Sequence, residues 1–157
     1  MDNLPGSEDK EITGGCFCKH ITFSARGPWS VQCCHCNLCR HVSGAAFAHN
    51  VLMSADNFKF TSEKTPENGG AIVYPSSDKI KRISCAKCGG YVAGDAHGYG
   101  VYAVSIGQID GIDSAVELPE FLRPQRHIFY GDRIADVNDG LTKHSTFPGM
   151  EGNVESV

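Results

Sequence analysis

No stretch of this sequence approaches the ~20 consecutive apolar residues that a membrane-spanning helix requires. A basic start followed by an apolar run is also missing. Met1 to Glu11 is polar and carries Pro5 and Gly6, so no secretory signal is expected and the chain is read as cytoplasmic. Positive charge is sparse and scattered. The formal net charge is -4, and only Lys79, Lys81 and Arg82 cluster, which reads as a solvated strand face. Neither nucleic acid nor a membrane is therefore expected as a partner. There is no repeat, heptad or low-complexity tract. No Ser-His-Asp ordering stands out. Gly94 to Gly100 is glycine-rich but lacks the strand-turn-helix setting of a phosphate cradle.

What the sequence does have is cysteine. The 157 residues suit one ordinary domain with its own hydrophobic core, and the eight cysteines are not needed merely to staple a small chain. In a reducing compartment disulfides are rare. The spacing argues the same way, because the cysteines fall in tight local groups. These are Cys16-x-Cys18, Cys34-x-Cys36-x-x-Cys39 and Cys85-x-x-Cys88. A metal ion needs several thiolates converging on one point, and such groups supply them.

The pattern along the chain predicts a mainly β fold, a small zinc-bound domain of several short antiparallel sheets. Residues 1–11 read as a disordered arm, 12–135 as the zinc-binding domain and 136–157 as an irregular tail. Thr13-Gly14-Gly15 reads as a turn. Ile21, Phe23 and Ala25 alternate with polar residues, as in a half-buried strand. Trp29-Ser30-Val31 predicts a short strand, Arg40 to Gly44 a helical turn, and Ala46 to Met53 a strand. Phe58 and Phe60 face one way. Ala71–Tyr74 and Lys79–Ser84 form a hairpin around Pro75-Ser76-Ser77-Asp78. Further strands are expected at 91–94, 99–106 and 127–130. Asp110 to Phe121 is turn-rich, with room for one short helix.

Two metal sites of different kinds follow. Cys16, Cys18, Cys85 and Cys88 add up to four thiolates, the complement of a closed structural zinc. Gly89-Gly90 suits the tight turn of a knuckle, since glycine accepts positive φ. Cys34 and Cys36 share one face if the strand alternates, and the turn Asn37-Leu38 can bring Cys39 to the same point. Three ligands with one open position is how a catalytic zinc is usually built. Cys33 and His41 are the residues that could close that shell. Cys33 otherwise reads as a small buried hydrophobe. His35, His41 and His97 are candidate acids or bases, and His127 reads as a packed strand residue.

Taken in order, Gly14-Gly15-Cys16-x-Cys18, Cys34-His35-Cys36-x-x-Cys39-Arg40, Cys85-x-x-Cys88-Gly89 and Pro124-x-x-His127-Ile128 resemble the glutathione-dependent formaldehyde-activating enzyme family. The resemblance runs from about Thr13 to about Tyr130. It implies a β-rich fold with two zinc ions per chain. The structural ion matches Cys16, Cys18, Cys85 and Cys88, and the catalytic one matches Cys34, Cys36 and Cys39. It also implies a carbon–sulfur lyase that joins formaldehyde to glutathione, giving S-(hydroxymethyl)glutathione, with glutathione or a related small thiol as partner. Whether the chain forms a homodimer stays open. The sequence departs from the family pattern at Lys19-His20, Ser84 and Cys33, none of which removes a candidate ligand. His127 to Gly131 and Asp139-Gly140-Leu141 resemble the fungal branch, some of whose members serve specialised metabolism.

The competing reading is a non-catalytic zinc-binding interaction module. The family has a relative that acts at centromeres and on microtubules. That role is coupled to a basic, proline-rich arm, which is not found here. A redox sensor that releases zinc on thiolate oxidation is a third reading.

Overall fold

The computed structural model describes residues 4, 6–114, 118–150 and 152–156. Among them twelve strands and one α-helix follow in chain order. The first half holds β1 (Glu11–Gly15), β2 (Thr22–Arg26), β3 (Ser30–Cys34), α1 (Asn37–Ser43), β4 (Ala48–Ser54), β5 (Phe58–Phe60) and β6 (Ala71–Ser77). The second holds β7 (Ile80–Cys85), β8 (Tyr91–Ala96), β9 (Val101–Ser105), β10 (Arg126–Ile128), β11 (Thr142–His144) and β12 (Glu155–Ser156). The fold is mainly β, as the sequence predicts. The chain divides into two compact units, Met1–Ser30 with Val51–Leu122 and Val31–Asn50 with Arg123–Val157.

In the first unit β1, β2 and β5 form an antiparallel sheet with β2 in the centre. Ile21, Phe23 and Ala25 are buried as expected, but Ser24 between them is buried too, so the strand is covered on both faces over that stretch and does not alternate cleanly. Phe23 stacks on Phe58 at 5.3 Å between ring centroids, and Phe58 lies nearly parallel to Tyr102 at 4.0 Å. Burying each such ring contributes about 1.5–3 kcal/mol. Gly14 is where sequence and structure part. It lies in β1 opposite Phe23, in a strand rather than the expected turn. A Cβ there would stand 2.5 Å from Phe23 Cζ and would collide with the Gln108 carbonyl. The glycine serves close packing of a ring against a strand.

β6 to β9 of the same unit are an antiparallel meander, including the predicted hairpin, with register Val73↔Ile83, Ile83↔Ala93 and Gly94↔Ala103. β6 is an edge strand, which lets it carry Pro75. Of the segment read as a disordered arm, residues 1–3 and 5 lie outside the described residues. Ser7 is buried, and its hydroxyl donates to the Leu4 and Pro28 carbonyls, both at 2.7 Å. In the turn-rich stretch, residues 115–117 lie outside the described ones. A short 3₁₀ turn covers Glu120–Leu122.

In the second unit β10 pairs in parallel with both β3 and β11, and β11 pairs antiparallel with β12. All five residues of β3 are buried, as expected of a strand covered on both faces. The segment read as an irregular tail thus carries two strands. Their shortness hides them from periodicity. α1 begins at Asn37, three residues before the helical turn predicted at Arg40. Cys36 is its N-cap, and its Sγ accepts from the Cys39 N–H at 3.4 Å. Arg40 and His41 fall in the last turn, where positive charge suits the helix dipole.

Candidate metal centres

Two local turns of the first unit build the outer cluster. Cys16 follows β1, and its N–H donates to the Ile21 carbonyl at 3.0 Å. The Ile21 N–H in turn donates to Cys16 Sγ at 3.4 Å. Lys19 closes the turn with a left-handed φ of 57°, and its ammonium pairs with Asp110. Cys85 ends β7 and repeats the device. Its N–H donates to the Gly90 carbonyl at 2.9 Å, and its Sγ accepts from the Lys87 N–H at 3.3 Å. Gly89 turns the chain with φ 72°, as expected of a knuckle.

The four sulfurs of Cys16, Cys18, Cys85 and Cys88 all lie within 4.8 Å of one another. A tetrahedral ion with ~2.3 Å metal–sulfur bonds sets its sulfurs about 3.8 Å apart. Cys16 and Cys18 are separated by 3.7 Å and Cys18 and Cys85 by 3.9 Å, which fits. The thiols do not share one acidity. The Gly90 N–H, with help from Cys18, pulls Cys88 down to about 6. The His20 N–H acts to lower Cys18, but burial and the three other thiols outweigh it and push Cys18 up to about 11. A cation is the group that would let all four be thiolates together.

The triad of the second unit is assembled differently from the expectation. Cys34 is the last residue of β3, and Cys36 lies beyond the strand as the helix cap. Strand alternation therefore does not align them. One linking residue, His35, and the first turn of α1 bring Cys34, Cys36 and Cys39 within 4.8 Å. Among the described residues no fourth cysteine, histidine, aspartate or glutamate joins the group. Asn50 Nδ2 donates to Cys39 Sγ at 3.9 Å. Contacts with Cys34 and Cys39 draw Cys36 down to about 2, while contacts with Cys36 and Cys39, then burial, push Cys34 up.

The two residues able to close the shell do not do so. Cys33 is buried in β3 opposite His127, with its thiol pushed up to about 12 by burial and then by the charge of Asp139. His41 is exposed on α1. His97 makes a 3.0 Å contact with the Asp78 carbonyl in the first unit. His35 and His127 form a hydrogen-bonded chain that no local sequence pattern signals. His35 Nε2 lies 2.8 Å from His127 Nδ1, and His127 Nε2 lies 2.9 Å from Asp139 Oδ2. Both imidazoles are fully buried. Burial, then the neighbouring His127, pushes His35 down to about 4. Burial acts to raise Asp139, but hydrogen bonds from His127 and the Leu141 N–H hold it below the usual carboxylate value.

A cavity of about 210 Å³ in the first unit is lined by Phe60, Ile83, Tyr102, Lys81, Asp95 and Glu67, among others, and contains no cysteine. No helix among the described residues is long and apolar enough to cross a membrane.

A family model described as glutathione-dependent formaldehyde-activating enzyme matches residues 11–132. A crystal structure of a Rhodobacter sphaeroides protein is similar with TM-score 0.48 and 18% identity, covering 64% of this chain and 90% of that one. No curated protein sequence matches.

Proposed function

The chain belongs to the glutathione-dependent formaldehyde-activating enzyme family, and on that premise we propose that it is a zinc-dependent carbon–sulfur lyase working at Cys34, Cys36 and Cys39. The observation that carries this reading is a set of three converging sulfurs with no fourth ligand among the described residues. Cys16, Cys18, Cys85 and Cys88 hold a second, structural zinc.

A zinc ion on the triad supplies a Lewis acid that keeps a glutathione-type thiol ionised at neutral pH. The reaction adds the thiol across the formaldehyde carbonyl. The sulfur–carbon bond forms, the C=O π pair moves to oxygen, and the thiol's proton ends on that oxygen. Cleavage is the reverse. Three thiolates on one centre make it electron-rich, which suits thiol exchange better than activation of water. Cys36 and Cys39 are half-buried, whereas Cys34 is buried and anchors the group from β3.

The test is metal analysis combined with ¹³C NMR of glutathione and ¹³C-formaldehyde, run beside a panel of other thiols and thioethers. Two zinc per chain and enzyme-dependent exchange at the S-(hydroxymethyl) carbon, lost in Cys36→Ser, are expected. Two zinc per chain with no reaction on any thiol or thioether would favour a binding module.

A further inference from the structure

We propose that Asp139, His127 and His35 form a hydrogen-bonded chain that positions the open metal centre, locking His35 in its Nε2–H tautomer and thereby fixing the one residue that joins Cys34 to Cys36. The proposal rests on reading the triad as a metal centre.

His35 is held at three points. Its N–H donates to the Ile128 carbonyl of β10 at 3.0 Å. Its carbonyl accepts from Arg40 Nε at 3.0 Å. Its ring meets His127. Two of these clamps lead to β10 and one to α1, so the residue pins the end of β3 against both neighbours. A change in its ring position passes to the cysteines on either side.

The protons of the chain can be placed by elimination. Asp139 is ionised and only accepts, so His127 Nε2 carries a proton and donates to it. One of the two facing nitrogens, His127 Nδ1 and His35 Nε2, must be bare. If His35 Nε2 were bare, His35 Nδ1 would carry the proton. That atom is buried and has no partner. A buried orphan N–H is rarer in folded proteins than an under-satisfied acceptor. The proton therefore sits on His35 Nε2 and points to His127 Nδ1, and His35 Nδ1 is left as a lone pair.

The surroundings hold the chain in place. Tyr130 and His35 pack in a T shape at 4.9 Å between centroids, and the Phe47 ring lies 5.1 Å from His35. The Tyr130 hydroxyl accepts from the Val137 N–H and donates to the Val137 carbonyl. Phe129 turns the chain there with φ 53°, a left-handed conformation that costs a non-glycine residue about 1–2 kcal/mol. Asp139 Oδ1 accepts from the Leu141 N–H at 3.1 Å and lies 3.6 Å from Lys143 Nζ. Groups that hydrogen-bond to metal ligands and orient them typically contribute 10–100-fold to metal affinity, and here the carboxylate–histidine pair acts on the residue that links two of the ligands.

The experiment titrates the full chain with cobalt(II), following sulfur-to-cobalt charge-transfer and d–d bands against a competing chelator. ¹⁵N NMR of the wild type reads the histidine tautomers. His127→Phe keeps a buried ring and removes both hydrogen bonds. His127→Asn keeps an acceptor near the Nδ1 position. Expected are two cobalt ions in the wild type and a second-ion affinity weakened about tenfold or more in His127→Phe, with substantial recovery in His127→Asn. The first ion should be unaffected. The NMR should show His35 protonated at Nε2 and bare at Nδ1. If His127→Phe binds the second ion as tightly and with the same bands, or if His35 Nδ1 proves protonated, the proposal is overturned. A wild type that takes up only one ion sinks instead the metal-centre reading beneath it. The NMR arm stands even if His127→Phe does not fold.

Discussion

The two cysteine clusters use the same side chain to opposite ends. In the outer cluster the sulfurs come from two knuckles 67 residues apart in the chain. In the triad three sulfurs come from one short segment that ends a fully buried strand and opens a helix. The outer cluster offers four sulfurs and is backed by backbone N–H groups. The triad offers three and is backed by two buried histidines hydrogen-bonded in series to a surface aspartate. On the proposed reading, ligand count and backing, rather than cysteine content, separate a structural thiolate cluster from a reactive one.

The sharpest way to break this comparison is Cys85→Ser. It should abolish cooperative folding of the first unit, seen as loss of the thermal transition by circular dichroism, because structural metal binding is folding energy. A variant that melts like the wild type would remove the structural role. Stepwise chelation should come next in size. The ion of the triad should leave first with no loss of secondary structure, and the outer ion should leave together with unfolding. One simultaneous step would erase the distinction. Cys36→Ser should then lose one zinc per chain and all carbon–sulfur chemistry while the melting temperature falls by only a few degrees.

Smaller changes sharpen the picture within the first unit. Gly14→Ala forces a methyl against Phe23 and should cost about 1–3 kcal/mol in chemical denaturation, the usual price of overpacking. The smallest effect is at Tyr102, whose hydroxyl is pushed up to about 12 by burial, then by Asp95 and Glu67. Its unfolded value is about 10. Its contribution to stability is thus complete below pH 10 and lost as pH rises towards 12, because the unfolded chain gives up its proton first. Tyr102→Phe should flatten the stability profile over that window, and a profile as steep as the wild type's would exclude the effect.

Much of this was legible in the sequence. The burial of Ile21, Phe23 and Ala25, the β6–β7 hairpin and the Cys34, Cys36, Cys39 grouping follow from local spacing, because period and turn chemistry are local properties, whereas the outer four cysteines are legible only as two pairs whose count makes up one site. Gly14 was misread, because glycine signals a turn as readily as a close contact. The Gln108 carbonyl and the ring of Phe23, both distant in sequence, distinguish them. Cys36 was misplaced because a sulfur N-cap is not one of the preferred capping residues. The His35–His127–Asp139 chain was invisible. It depends on the parallel register of β3 with β10, which sets Cys33 beside His127 and has no trace in either segment alone.

The separation of the outer knuckles also bears on how the protein matures. Cys34, Cys36 and Cys39 are already neighbours in a newly made, unstructured chain, so a metal can be captured there before any sheet exists. Because the unfolded chain can also bind there, such early binding adds less to stability than binding to the folded state alone would. Cys16 and Cys18 meet Cys85 and Cys88 only once the strands between them are in place, and contacts of such long range form slowly. Loading should therefore be ordered in time, with the reactive centre filled first and the outer ion arriving last as the step that seals the fold.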